Sequence, residues 1–270
     1  MRSWKRQGRR PAGTGASVAP RPSATGAAAL ATAVMVASWA LGGAGRAPAA
    51  WPATATPPAV GVLLQASGGR LGPHFCTASV VRSPGKDLVI TAAHCVSRYL
   101  GTSRPELAFA PGYRDGTAPL GVWQVTRIIV DPAWASSADP DDDVALLVVQ
   151  QAGGDAPVED VTGAERLGIG WSSADRVTVI GYPRTQNLPL TCQNRASSFT
   201  ARQMRIDCGS FSDGTSGGPF LAGVDARTGE GTVIGVVGGY QQGGSTPDVS
   251  YSITFGQQVQ ILYRSAVTES

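Results

Sequence analysis

Apolar positions in this 270-residue chain gather in short runs divided by glycine, proline and acidic residues, a pattern of short strands and turns rather than long helices. A first series of predicted strands covers residues 60–64, 75–81, 88–91, 107–110, 122–130 and 144–149. After a polar, glycine-containing stretch at 151–165, a second series follows at 176–181, 190–193, 204–208, 219–222, 232–237 and 249–255. Residues 257–267 space Val259, Ile261, Leu262 and Ala266 at near-helical intervals and predict a terminal amphipathic helix. The expectation is an all-β protein of two six-stranded antiparallel β-barrels, residues 59–155 and 156–270, the second ending in a C-terminal α-helix. A single large sandwich fits the same pattern.

The opening of the chain breaks from this alternation. Residues 1–50 hold seven Lys or Arg and no acid, then an apolar run from Gly26 to Leu41, then the small residues Ala47, Pro48 and Ala49. That order predicts a signal peptide over 1–49, a linker or mature N-terminus at 50–58, and a secreted product with no stable membrane association after cleavage. An uncleaved anchor is the rival, weakened by the Ala and Gly in the run. The charge changes accordingly: the whole chain is +3, but without those seven bases it has 15 against 19 acids, so no basic field exists to attract nucleic acid.

Export brings the four cysteines into play, because an oxidising compartment favours pairing them. Three connectivities are open, of which Cys76 with Cys95 and Cys192 with Cys208 are the local ones. A metal site drawn from His74, Cys76, His94 and Cys95 matches no familiar zinc spacing, and no metal or other cofactor is expected.

The most informative stretch is DGTSGGP at 213–219. Glycines flanking Ser216 allow a tight turn that exposes its hydroxyl and aims the N–H groups of Gly214 and Ser216 at a developing oxyanion. A serine nucleophile needs a base, and the chain has two histidines. His94 ends TAAHC after an apolar strand, whereas His74 lies in a Gly-Pro turn and reads as an ordinary surface residue. A carboxylate must orient the imidazole. Asp143 closes the run 141–143 and leads straight into an apolar strand, while Asp141 and Asp142 read as solvent-facing. Chain order excludes two other scaffolds with the same chemistry. An α/β-hydrolase places its histidine after the serine, and none follows residue 94; a subtilisin order needs an acid well before the histidine, and Asp87 is the sole candidate.

These motifs, TAAHC at 91–95, DVALL at 143–147 and GTSGGP at 214–219, resemble the chymotrypsin-like, trypsin-fold serine endopeptidases over residues 58–265. The resemblance implies a catalytic triad of His94, Asp143 and Ser216 in the cleft between the barrels. It also implies disulfides Cys76–Cys95, beside the histidine, and Cys192–Cys208, in the second barrel. Protein or peptide substrates would bind a secreted monomer. Thr215 stands where zymogen-activated members carry an acid, so the chain resembles bacterial, glutamyl-endopeptidase-like members more, with no need for a freed N-terminus. Counting back from Ser216, Ser210 is expected near the floor of the specificity pocket. Val237, Gly238, Gly239 and Tyr240 are expected as the wall that pairs with substrate, and the implied preference is for uncharged side chains. A secreted binding protein that kept this fold without turnover is the alternative.

Overall fold

The computed structural model describes residues 57–103 and 105–270. The expected signal peptide and most of the expected linker lie outside them. Six strands, β1 (Val60–Ser67), β2 (Arg70–Val81), β3 (Leu88–Thr91), β4 (Leu107–Pro111), β5 (Trp123–Val130) and β6 (Ala145–Gln151), close a barrel in the order β1-β2-β3-β6-β5-β4. Register shifts in β1 and β5 let strands this short curl. Three short helices interrupt the series: α1 (Ala93–Val96), α2 (Pro132–Ser137) and, after the barrel, α3 (Val158–Thr162). Asp131 caps α2 by accepting from the N–H of Ala133, with proline in the first turn.

The second half contains β7 (Arg166–Leu167), β8 (Ala174–Gly181), β9 (Leu190–Ser198), β10 (Gln203–Asp207), β11 (Pro219–Ala222), β12 (Thr232–Val236) and β13 (Val249–Ile253). They form a curled sheet in the order β13-β10-β9-β8-β11-β12-β7. Six of the seven match the expected strands. The seventh, β7, pairs parallel with β12 over two residues, too short to leave a periodic signal in the sequence.

The terminal helix α4 (Gln257–Glu269) returns to the first barrel, where it packs on β5 and β6. Val259, Leu262 and Ala266 form its buried stripe; Ile261, expected on that face, is 55% exposed because it sits one residue off the stripe. The helix and one face of the second sheet share a single apolar core with the first barrel, whereas Val177, Val179, Met204, Ile206, Phe220 and Ile234 fill a second core inside the second sheet.

The two halves are also stitched by backbone. The N–H of Arg82 donates to the carbonyl of Glu165 and the N–H of Glu165 to that of Val80, both at 2.9 Å. Two disulfides, Cys76–Cys95 and Cys192–Cys208, complete the frame. No helix among the described residues is long and apolar enough to cross a membrane.

Candidate active site

His94 sits in α1, directly after β3 ends, and Cys95 beside it is bonded to Cys76 on β2. Helix and strand are thereby fixed to each other. Asp143 follows a 3₁₀ turn at Pro140–Asp142, which is capped by Asp139 and precedes β6. The Asp143 carboxylate is 1% exposed. Its Oδ1 accepts from the backbone N–H of His94 at 2.9 Å, and its Oδ2 accepts from His94 Nδ1 and from the N–H of Gly239, each at 2.8 Å. A carboxylate only accepts, so Nδ1 carries the imidazole proton and Nε2 of the neutral ring keeps its lone pair.

Ser216 lies on the loop before β11, and its carbonyl accepts from the N–H of Thr77 on β2 at 2.8 Å. Thr77 is buried at the centre of this arrangement. Its hydroxyl donates to the Gly214 carbonyl at 2.9 Å and accepts from the N–H of Tyr182 at 2.8 Å, so one side chain holds the serine loop against both barrels. Sequence reasoning missed it: a threonine in an apolar strand carries no signal until topology shows what lies opposite.

The glycines around Ser216 are required by contact. A Cβ at Gly217 would stand 2.1 Å from Thr91 Oγ1 and 2.2 Å from the Thr77 carbonyl, and one at Gly214, which has φ +100°, would stand 2.4 Å from the Arg184 nitrogen. The N–H groups of Gly214 and Ser216 have no hydrogen-bond partner among the described residues. His94 and Ser216 line one cavity of about 310 Å³ with Cys95, Arg98 and Gly214. No Nε2 to Ser216 Oγ hydrogen bond is made among the described residues.

A second cavity of about 400 Å³ opens on the other side of Ser216, and Phe211, Ser212, Thr215, Val237, Thr246 and Pro247 contribute to its lining. Ser210 does not line it. Ser210 is exposed at φ +71°, and the buried Phe211 takes the place expected of it. Of the expected wall residues, Val237 alone lines the cavity. Strand β12 stops at Val236, and Tyr240–Gly243 turn as a 3₁₀ helix. The N–H groups of Gly238, Gly239 and Tyr240 are spent on Tyr251, Asp143 and Gln203, and the Tyr240 ring instead packs against Phe199 and Tyr251.

Two further expectations are corrected. His74 is 4% exposed rather than at the surface: its Nε2 meets the Gln186 carbonyl at 3.1 Å and its ring packs edge-on to Tyr113. Burial pushes its pKa down, the Gln186 carbonyl opposes this, and the Arg184 charge adds to the lowering. Asp142 is buried and accepts from Arg202, while Asp141 accepts from Gln203, so the acidic turn is clamped to the second half. Burial raises the Asp142 carboxyl, with Arg202 pulling the other way. Cys76, His94 and Cys95 lie close enough together to suggest a metal cluster, but both sulfurs are committed to the disulfide and offer no thiolate.

A closed β-barrel and a second curled sheet, with a histidine, an acid and a glycine-flanked serine brought to the groove where they meet, define a trypsin-like serine peptidase. The chain belongs to the trypsin-like peptidase domain family, which matches it over residues 76–236. The protease Anisep from Arthrobacter nicotinovorans is similar in structure at 24% identity and a TM-score of 0.65, over 78% of this chain and 96% of that one. A thermostable serine protease from an extremophilic microorganism is similar at 24% identity and a TM-score of 0.65, covering 79% of this chain and 99% of its own. A Glu endopeptidase shares the fold at 15% identity and a TM-score of 0.58, over 78% and 91%. No curated protein matches by sequence.

Proposed function

We propose that this protein is a secreted serine endopeptidase. Ser216 attacks a peptide carbonyl, His94 takes the hydroxyl proton at Nε2 and returns it to the leaving amine, and water then hydrolyses the acyl-enzyme by the same route. The N–H groups of Gly214 and Ser216 stabilise the oxyanion. The observation that carries this is the buried Asp143 carboxylate, whose bonds to His94 and Gly239 fix an imidazole that lines the same cavity as Ser216, its Nε2 touching only the disulfide sulfur of Cys95 at 3.8 Å among the described residues. Nε2 and Oγ close to hydrogen-bond reach on substrate binding, a tightening that apo sites of this kind commonly undergo.

The cavity beside Ser216 selects an uncharged side chain, because Phe211, Ser212, Val237, Thr246 and Pro247 are among the uncharged residues that make up most of its lining and its two charged contributors, Arg184 and Asp213, are of opposite sign. Neither histidine of the chain is in that lining, so the selectivity in the Glu endopeptidase's name is not carried over. Thr215 is buried and its hydroxyl donates to the Ser212 carbonyl, which leaves no acid to receive a new N-terminus; activity does not depend on processing to a defined first residue. The basic and apolar opening segment supports export, and the paired cysteines fit an oxidising destination.

A fluorophosphonate labels Ser216 in the native protein, and Ser216→Ala abolishes the label while the fold persists. Failure of the native, folded protein to label would refute the proposal.

A further inference from the structure

The leaving amine must depart on the side of Ser216 where His94 can protonate it. That side is the cavity lined by Phe75, His94, Cys95 and Arg98, which continues into a smaller one holding Gln65, Pro73 and His74. Arg98 and Arg184 line both. Arg98 comes from the turn after the His94 helix in the first half, Arg184 from the segment after β8 in the second.

Neither guanidinium has a carboxylate partner among the described residues. Arg98 is held over the rings of Phe75 and Tyr99 at 4.9 and 4.7 Å and donates once, to Tyr99 Oη at 2.6 Å, which leaves its remaining N–H groups free. Arg184 makes no side-chain hydrogen bond among the described residues, and its backbone N–H is anchored to the Asp213 carbonyl at 2.6 Å. The facing groups are one acid, Asp213, which lines the first cavity without pairing to either arginine, and His74, whose pKa burial pushes down. Two cations without a carboxylate partner against one acid make this end of the cleft electropositive, although the chain beyond residue 50 is net acidic.

We propose that Arg98 and Arg184 form a subsite for a carboxylate, so that the protease prefers substrates with Asp or Glu in the one or two positions following the scissile bond. This rests on the serine-endopeptidase reading. The planar forks accept a carboxylate in two-point contact, and an incoming lysine meets like charge.

The test uses internally quenched peptides that share neutral residues on the acyl side and carry Asp, Glu, Ala or Lys at the first or second position on the leaving side. In the native protein kcat/KM is expected to be about 10-fold higher for the acidic peptides than for the lysine ones, the sum of two exposed ion pairs, and to converge as salt rises. The double variant Arg98→Glu, Arg184→Glu reverses the order, and fluorophosphonate labelling verifies that it is folded and competent. Equal rates across the series in a labelling-competent native enzyme, or an order unchanged by the double variant, would overturn the proposal. A native protein that neither labels nor cleaves any peptide would instead sink the underlying reading and this subsite with it.

Discussion

Asp143 spends both oxygens on three N–H donors, two of them from His94. An amide in its place presents an NH₂ where donors already point, so Asp143→Asn turns the imidazole to the wrong tautomer. The expected result is a kcat drop of about 10⁴-fold with a near-native melting temperature, measured with a chromogenic substrate alongside thermal unfolding. Thr215 answers to different physics, being 3% exposed. Thr215→Asp puts a carboxylate where a buried hydroxyl donates to the Ser212 carbonyl, and loses about 3 kcal/mol of stability in denaturant titration; an unchanged midpoint would show that the new carboxylate reaches solvent or the Arg184 guanidinium. At this scale Ser216, His94 and Asp143 stood out because each sat at an unusual local pattern, and the structure bonds His94 to Asp143 and puts His94 and Ser216 on one cavity. His74, Asp142 and Tyr240 did not, since each depended on what a distant segment placed beside it, Tyr113, Arg202 and the Phe199–Tyr251 pair respectively, while Ser210 is turned away by its own backbone at φ +71°.

Twelve expected strands and the last helix are present, because alternation of apolar and turn residues is a local property that the chain reports directly. What escaped notice is the set of short pieces: the two-residue β7, which exists only as a neighbour of β12, and the helices α1, α2 and α3 of four to six residues. The two disulfides separate structural from catalytic bracing. Each closes a loop of comparable length, 19 and 16 residues apart, so replacing either pair by serine costs about 3 kcal/mol. Only Cys76–Cys95 holds the histidine helix to β2, so its removal lowers kcat even at temperatures where the variant is folded, whereas removal of Cys192–Cys208 leaves kcat near native. Parallel loss of activity in both variants would contradict that division.

The join between the halves carries a titratable group. Glu165 is 0% exposed; burial pushes its carboxyl up to about 7, against the pull of the Gly231 N–H. Its raised value means that between the ordinary glutamate range and about 7 the folded state keeps a proton that the unfolded chain has lost. Stability contributed by Glu165 is therefore complete below that window and falls through it as pH rises, by on the order of 3 kcal/mol, then levels off. His74, with a lowered value, acts in the opposite sense at the upper part of the window. Comparing native protein with Glu165→Gln between pH 5 and pH 8 isolates the carboxyl: the native melting temperature declines more steeply than the variant's. Matching slopes would show that the carboxyl ionises without cost.

Helix α4 follows every strand in chain order yet covers β5 and β6 of the first barrel, where Tyr263 donates to the Arg82 carbonyl and Arg127 meets Glu269. A chain that folds from its N-terminal side therefore shows a half-dressed first barrel until α4 has followed the second sheet. Val259, Leu262 and Ala266 are buried in the finished fold, so until α4 docks the apolar surface it covers on the first barrel stays open to solvent.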